Sequence, residues 1–173
     1  MIASNVSYVK KVVFPLEILP LSALGSALFH LMISFMIWIL FYVIKYHSMP
    51  PWTMIYLPVI LLPLIFFMIS AIWFLSATGV YLRDLQHAMT LLMSVMIFIT
   101  PVFYPLSAVP KQYQFWYYLN PLTFVIEEAR NVLIFNKMPD WMNLFCFSIA
   151  YIFLIVLSFN WFQTAKKGFA DVI

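Results

Sequence analysis

The side chains best suited to chemistry in this 173-residue chain are Glu127, Glu128 and Arg130. Glu127 and Glu128 form its only adjacent acidic pair. A carboxylate pair can move protons as general acid and base, or with an arginine it can form a polar gate. At helical spacing Glu127 reaches Arg130 or Asn131 at i+3 and i+4. The other reactive types are sparse. Cys146 is the single cysteine, which leaves no disulfide framework and no cysteine-based metal site within one chain. The histidines are His30, His47 and His87, and no Cys/His cluster appears. No Walker A, HExxH or GxSxG pattern occurs. The three glycines, Gly25, Gly79 and Gly168, are too dispersed to cradle a nucleotide phosphate. No catalytic, cofactor-binding or metal residue is therefore assigned.

The elements that must position these residues follow from composition. Hydrophobic residues make up 65% of the chain and charged residues 9%, with a net charge of +3. A soluble domain is roughly 25% charged, so this chain could not bury its apolar surface in water. A soluble enzyme, a nucleic-acid binder and a disordered chain are excluded. An all-α polytopic membrane protein is expected. No Asp, Glu, Lys or Arg occurs in Ile18–Ile44, Tyr46–Leu82, Leu85–Pro110 or Trp141–Ala165, which are 27, 37, 26 and 25 residues long. A spanning helix needs about 20 apolar residues. Four spans are expected, near Leu21–Ile44, Ile55–Leu82, Ala88–Phe103 and Leu144–Phe162, in one transmembrane domain covering the whole chain. The runs do not alternate in polarity as barrel strands do.

With both termini in the cytoplasm, Lys10, Lys11, Arg83, Lys166 and Lys167 lie inside, against Lys45, Lys111, Arg130 and Lys137 outside. Trp52, Tyr56 and Tyr104 then fall at the outer interface, and Tyr81 and Trp161 at the inner one. Ahead of the first span, Val6, Tyr8, Val9, Val12, Val13 and Leu16 share one helical face, with Ser7, Lys10, Lys11 and Phe14 on the other. Such a helix can lie flat among lipid headgroups or dock on a cytosolic partner. The short inner loop Tyr81–His87 carries Arg83 and Asp84, as a solvated turn or as a contact.

Between the last two spans, Pro101, Pro105 and Pro110 break the helix. Lys111–Leu119 follows, rich in aromatics. Asn120-Pro121 then reads as an N-cap with proline at the first helical position. The helix it starts runs to about Phe135, with Leu122, Val125, Ile126, Ala129, Val132 and Leu133 as its apolar stripe and Glu127, Glu128, Arg130 and Asn131 as its polar one. The uncharged stretch Gln112–Ile126 is too short to cross a bilayer. The pattern fits either a re-entrant helical hairpin or an amphipathic hairpin on the outer surface. No span carries a fixed charge, so any transport is powered from outside the chain. The spans offer aromatic surface instead, as in Phe35, Trp38, Phe41 and Tyr42, or Phe66, Phe67, Trp73 and Phe74. Aromatic faces can stack on sugar rings or simply pack against lipid and helices.

Several of these segments resemble one family. Lys10-Lys-Val-Val-Phe-Pro-Leu-Glu-Ile-Leu-Pro-Leu21, Tyr81-Leu-Arg-Asp-Leu-Gln86, Tyr104-Pro-Leu and Asn120-Pro-Leu-Thr-Phe-Val-Ile-Glu-Glu-Ala-Arg-Asn131 are similar, in order and spacing, to the permease subunit of bacterial polysaccharide ABC exporters. The resemblance implies a six-span inner-membrane permease that works as a homodimer with separate ATPase subunits. Those subunits bind ATP and Mg, and the cargo is lipid-linked glycan such as O-antigen, capsule or teichoic acid. It gives the docking role on the ATPase to Val6, Tyr8, Val9, Lys10, Lys11, Val13 and Phe14, and an inner-loop role to Arg83 and Asp84. It favours the re-entrant reading, with an outer gate of Tyr113, Trp116, Tyr117, Tyr118, Glu127, Glu128 and Arg130. The family carries an interface helix and two further spans ahead of this segment. The chain is therefore expected to be an N-terminally truncated permease, a product of a late start codon, or half of a split one. The residues themselves also admit a drug or lipid permease, or a membrane enzyme acting on lipid-linked sugar.

Overall fold

A computed structural model describes residues 17–82 and 84–169. Among them every element is helical. Helix α1 is Ile18–Tyr46, a 3-10 turn covers Trp52–Tyr56, α2 is Leu57–Tyr81 and α3 is Leu85–Ile99. A second 3-10 turn spans Leu106–Ala108, followed by α4 at Lys111–Tyr118, α5 at Pro121–Leu133 and α6 at Trp141–Lys166. Helices suit these sequences because a helix satisfies its own backbone polar groups where no water is available.

Among the described residues three helices are long and apolar enough to cross a membrane, over Pro20–Tyr46, Trp52–Tyr81 and Trp141–Lys166. They cover the expected first, second and fourth spans. The third lies three to four residues earlier in the chain than expected, at Leu85–Ile99. Helix α3 has 15 residues, or about 22 Å at 1.5 Å per residue, against a hydrocarbon core of about 30 Å. It stops at Ile99 rather than Phe103 because Pro101 disfavours helical backbone at Thr100, whose ψ is 126°.

Helices α2 and α6 run parallel, both starting at the same end, and form the body of the molecule. Ile60 near the start of α2 and Leu144 near the start of α6 share a buried cluster with Phe124, Val125 and Val132 of α5. Ala77 and Val80 at the far end of α2 meet Phe162, Ala165 and Phe169. Aromatic pairs join the two helices in between, Phe67 to Tyr151 at 5.4 Å and Trp73 to Phe159 at 4.9 Å between ring centroids.

Helix α1 is tied to this body at its first turn. Trp73 Nε1 donates to the Glu17 carbonyl at 3.2 Å. Glu17 Oε1 accepts from Lys166 Nζ at 2.8 Å and from Gln163 Nε2 at 2.9 Å. The start of α1 and the end of α6 therefore lie at the same end of the bundle. Helix α3, in contrast, has no buried residue along its length.

Candidate functional site

The polar residues expected to form a gate lie at the opposite end, where α2 and α6 begin. The site is built on α5. Asn120 is its N-cap: Oδ1 accepts from the Leu122 N–H at 3.0 Å and Pro121 opens the helix. The side-chain amide of Asn120 also donates to Thr100 Oγ1 at 2.8 Å, and Thr100 donates to the Met96 carbonyl at 2.6 Å. One residue thus caps α5 and holds the end of α3.

Helix α5 buries a face rotated from the expected stripe. Thr123, Phe124, Val125, Glu128 and Val132 are buried, while Leu122, Ile126, Ala129 and Leu133 are half-buried. Phe124 turns inward because Phe147 of α6 offers a stacked ring at 4.6 Å. Glu128 turns inward because its Oε2 accepts the Asp140 N–H at 2.9 Å, at the first position before α6. Its Oε1 accepts from Asn131 Nδ2 at 3.3 Å. A carboxylate there satisfies an orphan helix-start donor and opposes the positive end of the helix dipole. Thr53 of the first 3-10 turn donates to the Val132 carbonyl at 2.6 Å and closes the other side of α5.

Glu127 and Arg130 face the connector between α3 and α4. They form an ion pair with each other. Glu127 Oε1 also accepts the Leu106 N–H at 3.0 Å. Arg130 Nη2 donates to the carbonyls of Pro101 at 2.7 Å, Val102 at 3.2 Å and Tyr104 at 3.4 Å. Gln114 of α4 donates from Nε2 to the Val109 and Leu106 carbonyls at 2.8 and 3.2 Å. The Tyr104 hydroxyl shares its proton between the Phe98 carbonyl at 3.1 Å and the Tyr117 hydroxyl at 3.2 Å. The bond to Tyr117, and then burial, favour the neutral phenol of Tyr104 and push its pKa up to about 12.

Of the residues expected at the gate, Tyr117, Glu127 and Arg130 gather on this connector. Glu128 lies on the other flank of α5 against the start of α6. Tyr113, Trp116 and Tyr118 are exposed on α4, with Phe115 beside Trp116. At the opposite end Asp84 is exposed at the start of α3, and its carbonyl accepts from His87 and Ala88. Arg83 and the expected docking residues Val6, Tyr8, Val9, Lys10, Lys11, Val13 and Phe14 lie outside the described residues. Cys146 is free and exposed. Among the described residues no group of three or more His, Cys, Asp or Glu could hold a metal ion.

Sequence reasoning missed two things here. The Glu17–Lys166 pair joins residues 149 apart in the chain, and only the packing of the start of α1 against the end of α6 brings them together. The Thr53 contact carried no local signal at all. A third feature, the ring series Phe35, Trp38, Tyr42 and Tyr46 along α1, was partly legible as an i, i+3, i+4 spacing. Its centroids are 6.0, 5.3 and 4.7 Å apart in sequence.

Residues 1–134 match the ABC-2 type transporter family. The chain is 27% identical over 165 residues to the O-antigen export system permease protein RfbA of Myxococcus xanthus, covering 94% of this chain and 63% of that protein. It is 25% identical over 174 residues to the O-antigen export system permease protein RfbA of Klebsiella pneumoniae, covering 98% of this chain and 65% of that protein. The chain thus spans 63–65% of the length of these curated relatives. With 134 of its 173 residues matched and three helices able to cross a membrane, it is a multi-pass membrane protein that belongs to the ABC-2 type transporter family.

Proposed function

We propose that the chain is the permease part of an ATP-driven exporter that moves lipid-linked, O-antigen-like polysaccharide across the bacterial inner membrane. The observation that carries this reading is the match, over 94–98% of the chain, to proteins named O-antigen export system permease. ATP and Mg bind to a separate ABC ATPase, two copies of the permease make the path, and the cargo is held by weak contacts.

Both termini are cytoplasmic in this reading, in keeping with Glu17 and Lys166 at one end of the bundle. Val6, Tyr8, Val9, Lys10, Lys11, Val13 and Phe14 dock on the ATPase, and Arg83 and Asp84 face the same side. Displacement of the docking segment reaches α1 and α6 together, because Glu17 links them. The connector and the α4–α5 hairpin form the outer gate. Tyr113, Trp116 and Tyr118 on α4, and the rings along α1, offer π faces to sugar C–H bonds. Each contact is weak, so a chain of sugars can slide without stalling.

The alternative of a membrane enzyme places general acid–base work on Glu127 and Glu128. Both carboxylates accept backbone N–H groups, and Glu127 also pairs with Arg130. That geometry favours a structural use of the pair over proton transfer to a substrate. Replacing both by Gln tunes flux in a permease and abolishes turnover in an enzyme.

The test is a mild-detergent pull-down of the tagged chain from its host, read by mass spectrometry. Recovery of a soluble subunit with a Walker A motif, and its loss on Phe14→Ala, is the expected result. A well-folded chain recovered without any ATPase overturns the reading.

A further inference from the structure

Helix α3 sits in an unusual position. It has no buried residue, so apolar packing within the chain does not fix where it lies. Its far end runs into a bent, non-helical stretch, Thr100–Tyr104, in which Pro101 has no N–H and the carbonyls of 101, 102 and 104 have no helical partner. All three are taken by one guanidinium, that of Arg130. Glu127 neutralises that guanidinium and takes the next free donor, the Leu106 N–H. Helix α5, which carries both side chains, is fixed to the α2–α6 body by the buried cluster of Phe124, Val125 and Val132 with Ile60 and Leu144.

We infer that Arg130 is a positioning residue, a latch that sets where the far end of α3 sits against the α2–α6 body, and not a charge offered to cargo. The geometry of the group is what matters. A guanidinium presents its donors in a rigid planar fork that can serve several carbonyls and a carboxylate at once, whereas a lysine ammonium on a flexible stem is a point charge. The ion pair with Glu127 leaves the cassette without net charge. The attachment is polar, so it can open and close without exposing a packed core.

The transport arm of the test rests on the exporter reading, while the structural arm does not. Cys146 is replaced by Ala, and spin labels are placed at Leu91 of α3 and Leu62 of α2, both exposed, in the full chain in lipid nanodiscs. Pulsed electron spin resonance then reads the distance between them. The parent is expected to show one narrow distance. Arg130→Ala and Arg130→Lys are both expected to add a broad, longer population. A parent-like distance in Arg130→Lys overturns the proposal, because charge alone would then suffice. Should Arg130→Ala fail to fold, Arg130→Lys carries the test with the same two outcomes. In cells, surface glycan is expected to fall several-fold in Arg130→Lys. A changed distance without that fall counts against the exporter reading, and an unchanged distance counts against the latch whatever the glycan does.

Discussion

Thr123 is fully buried on α5, and its hydroxyl has no hydrogen-bond partner. An unsatisfied buried hydroxyl costs about 1–3 kcal/mol. Thr123→Val keeps the shape and removes the polar atom, so it should leave the melting temperature unchanged or raise it. A fall in thermal stability in detergent would mean that the hydroxyl has a partner. Gly168 makes the opposite case. A Cβ there would stand 2.5 Å from the Tyr81 hydroxyl, which donates to the Ala165 carbonyl at 2.7 Å. Gly168→Ala should therefore destabilise by about 1–3 kcal/mol, and Tyr81→Phe should relieve much of that cost by removing the clashing oxygen. A double-mutant cycle checks it, and strict additivity would show that the clash is not the cause. Local signals were legible at this scale. Asn120-Pro121 capped α5 as the sequence indicated, because a cap depends only on residues next to it. Thr123 and the Tyr81–Gly168 contact were not legible, since their surroundings come from segments far along the chain.

Among the elements, the three full-length helices were readable from charge-free length alone, because exclusion of charge is a property of each segment by itself. The inward face of α5 was not. Glu128 belongs to a polar stripe by composition, yet the bare Asp140 N–H at the start of α6 draws it inside. Asn120→Ala should cost about 0.5–2 kcal/mol as a lost cap, and more if release of Thr100 loosens α3. Melting of the variant against Thr100→Val separates the two contributions. The tie between α1 and α6 gives a pH dependence. The Lys166 ammonium bonded to Glu17 holds that carboxyl below its usual value of 4.5. A carboxylate with a lowered folded-state pKa contributes stability that is complete above the usual value and is lost as pH falls through the lowered one. The stability gap between the parent chain and Glu17→Gln should be open at pH 7 and should narrow progressively below about 4.5. A gap constant with pH would show that the ion pair does not act between α1 and α6.

For the molecule as a whole, the segments that resembled a polysaccharide-exporter permease led to the family that residues 1–134 match. That part was legible because the motifs are short and ordered along the chain. The arrangement of the expected gate was not. Glu127 and Arg130 hold a backbone connector in place, Glu128 holds the start of α6, and Tyr113, Trp116 and Tyr118 on α4 stay exposed while Tyr117 packs on the connector. Ring clusters mark the end of the body where α2 and α6 begin, with Trp52 to Tyr56 at 5.8 Å and Tyr56 to Trp141 at 5.3 Å. Such amphipathic rings suit a headgroup interface.

The most direct measurement is deletion of the gene for this chain in its host, with lipid-linked glycan followed on both sides of the inner membrane. The account predicts that surface glycan is lost while full-length lipid-linked glycan accumulates on the cytoplasmic side, and that restoring the gene reverses both. Unchanged surface glycan, or its loss with only truncated lipid-linked intermediates accumulating, would contradict the account.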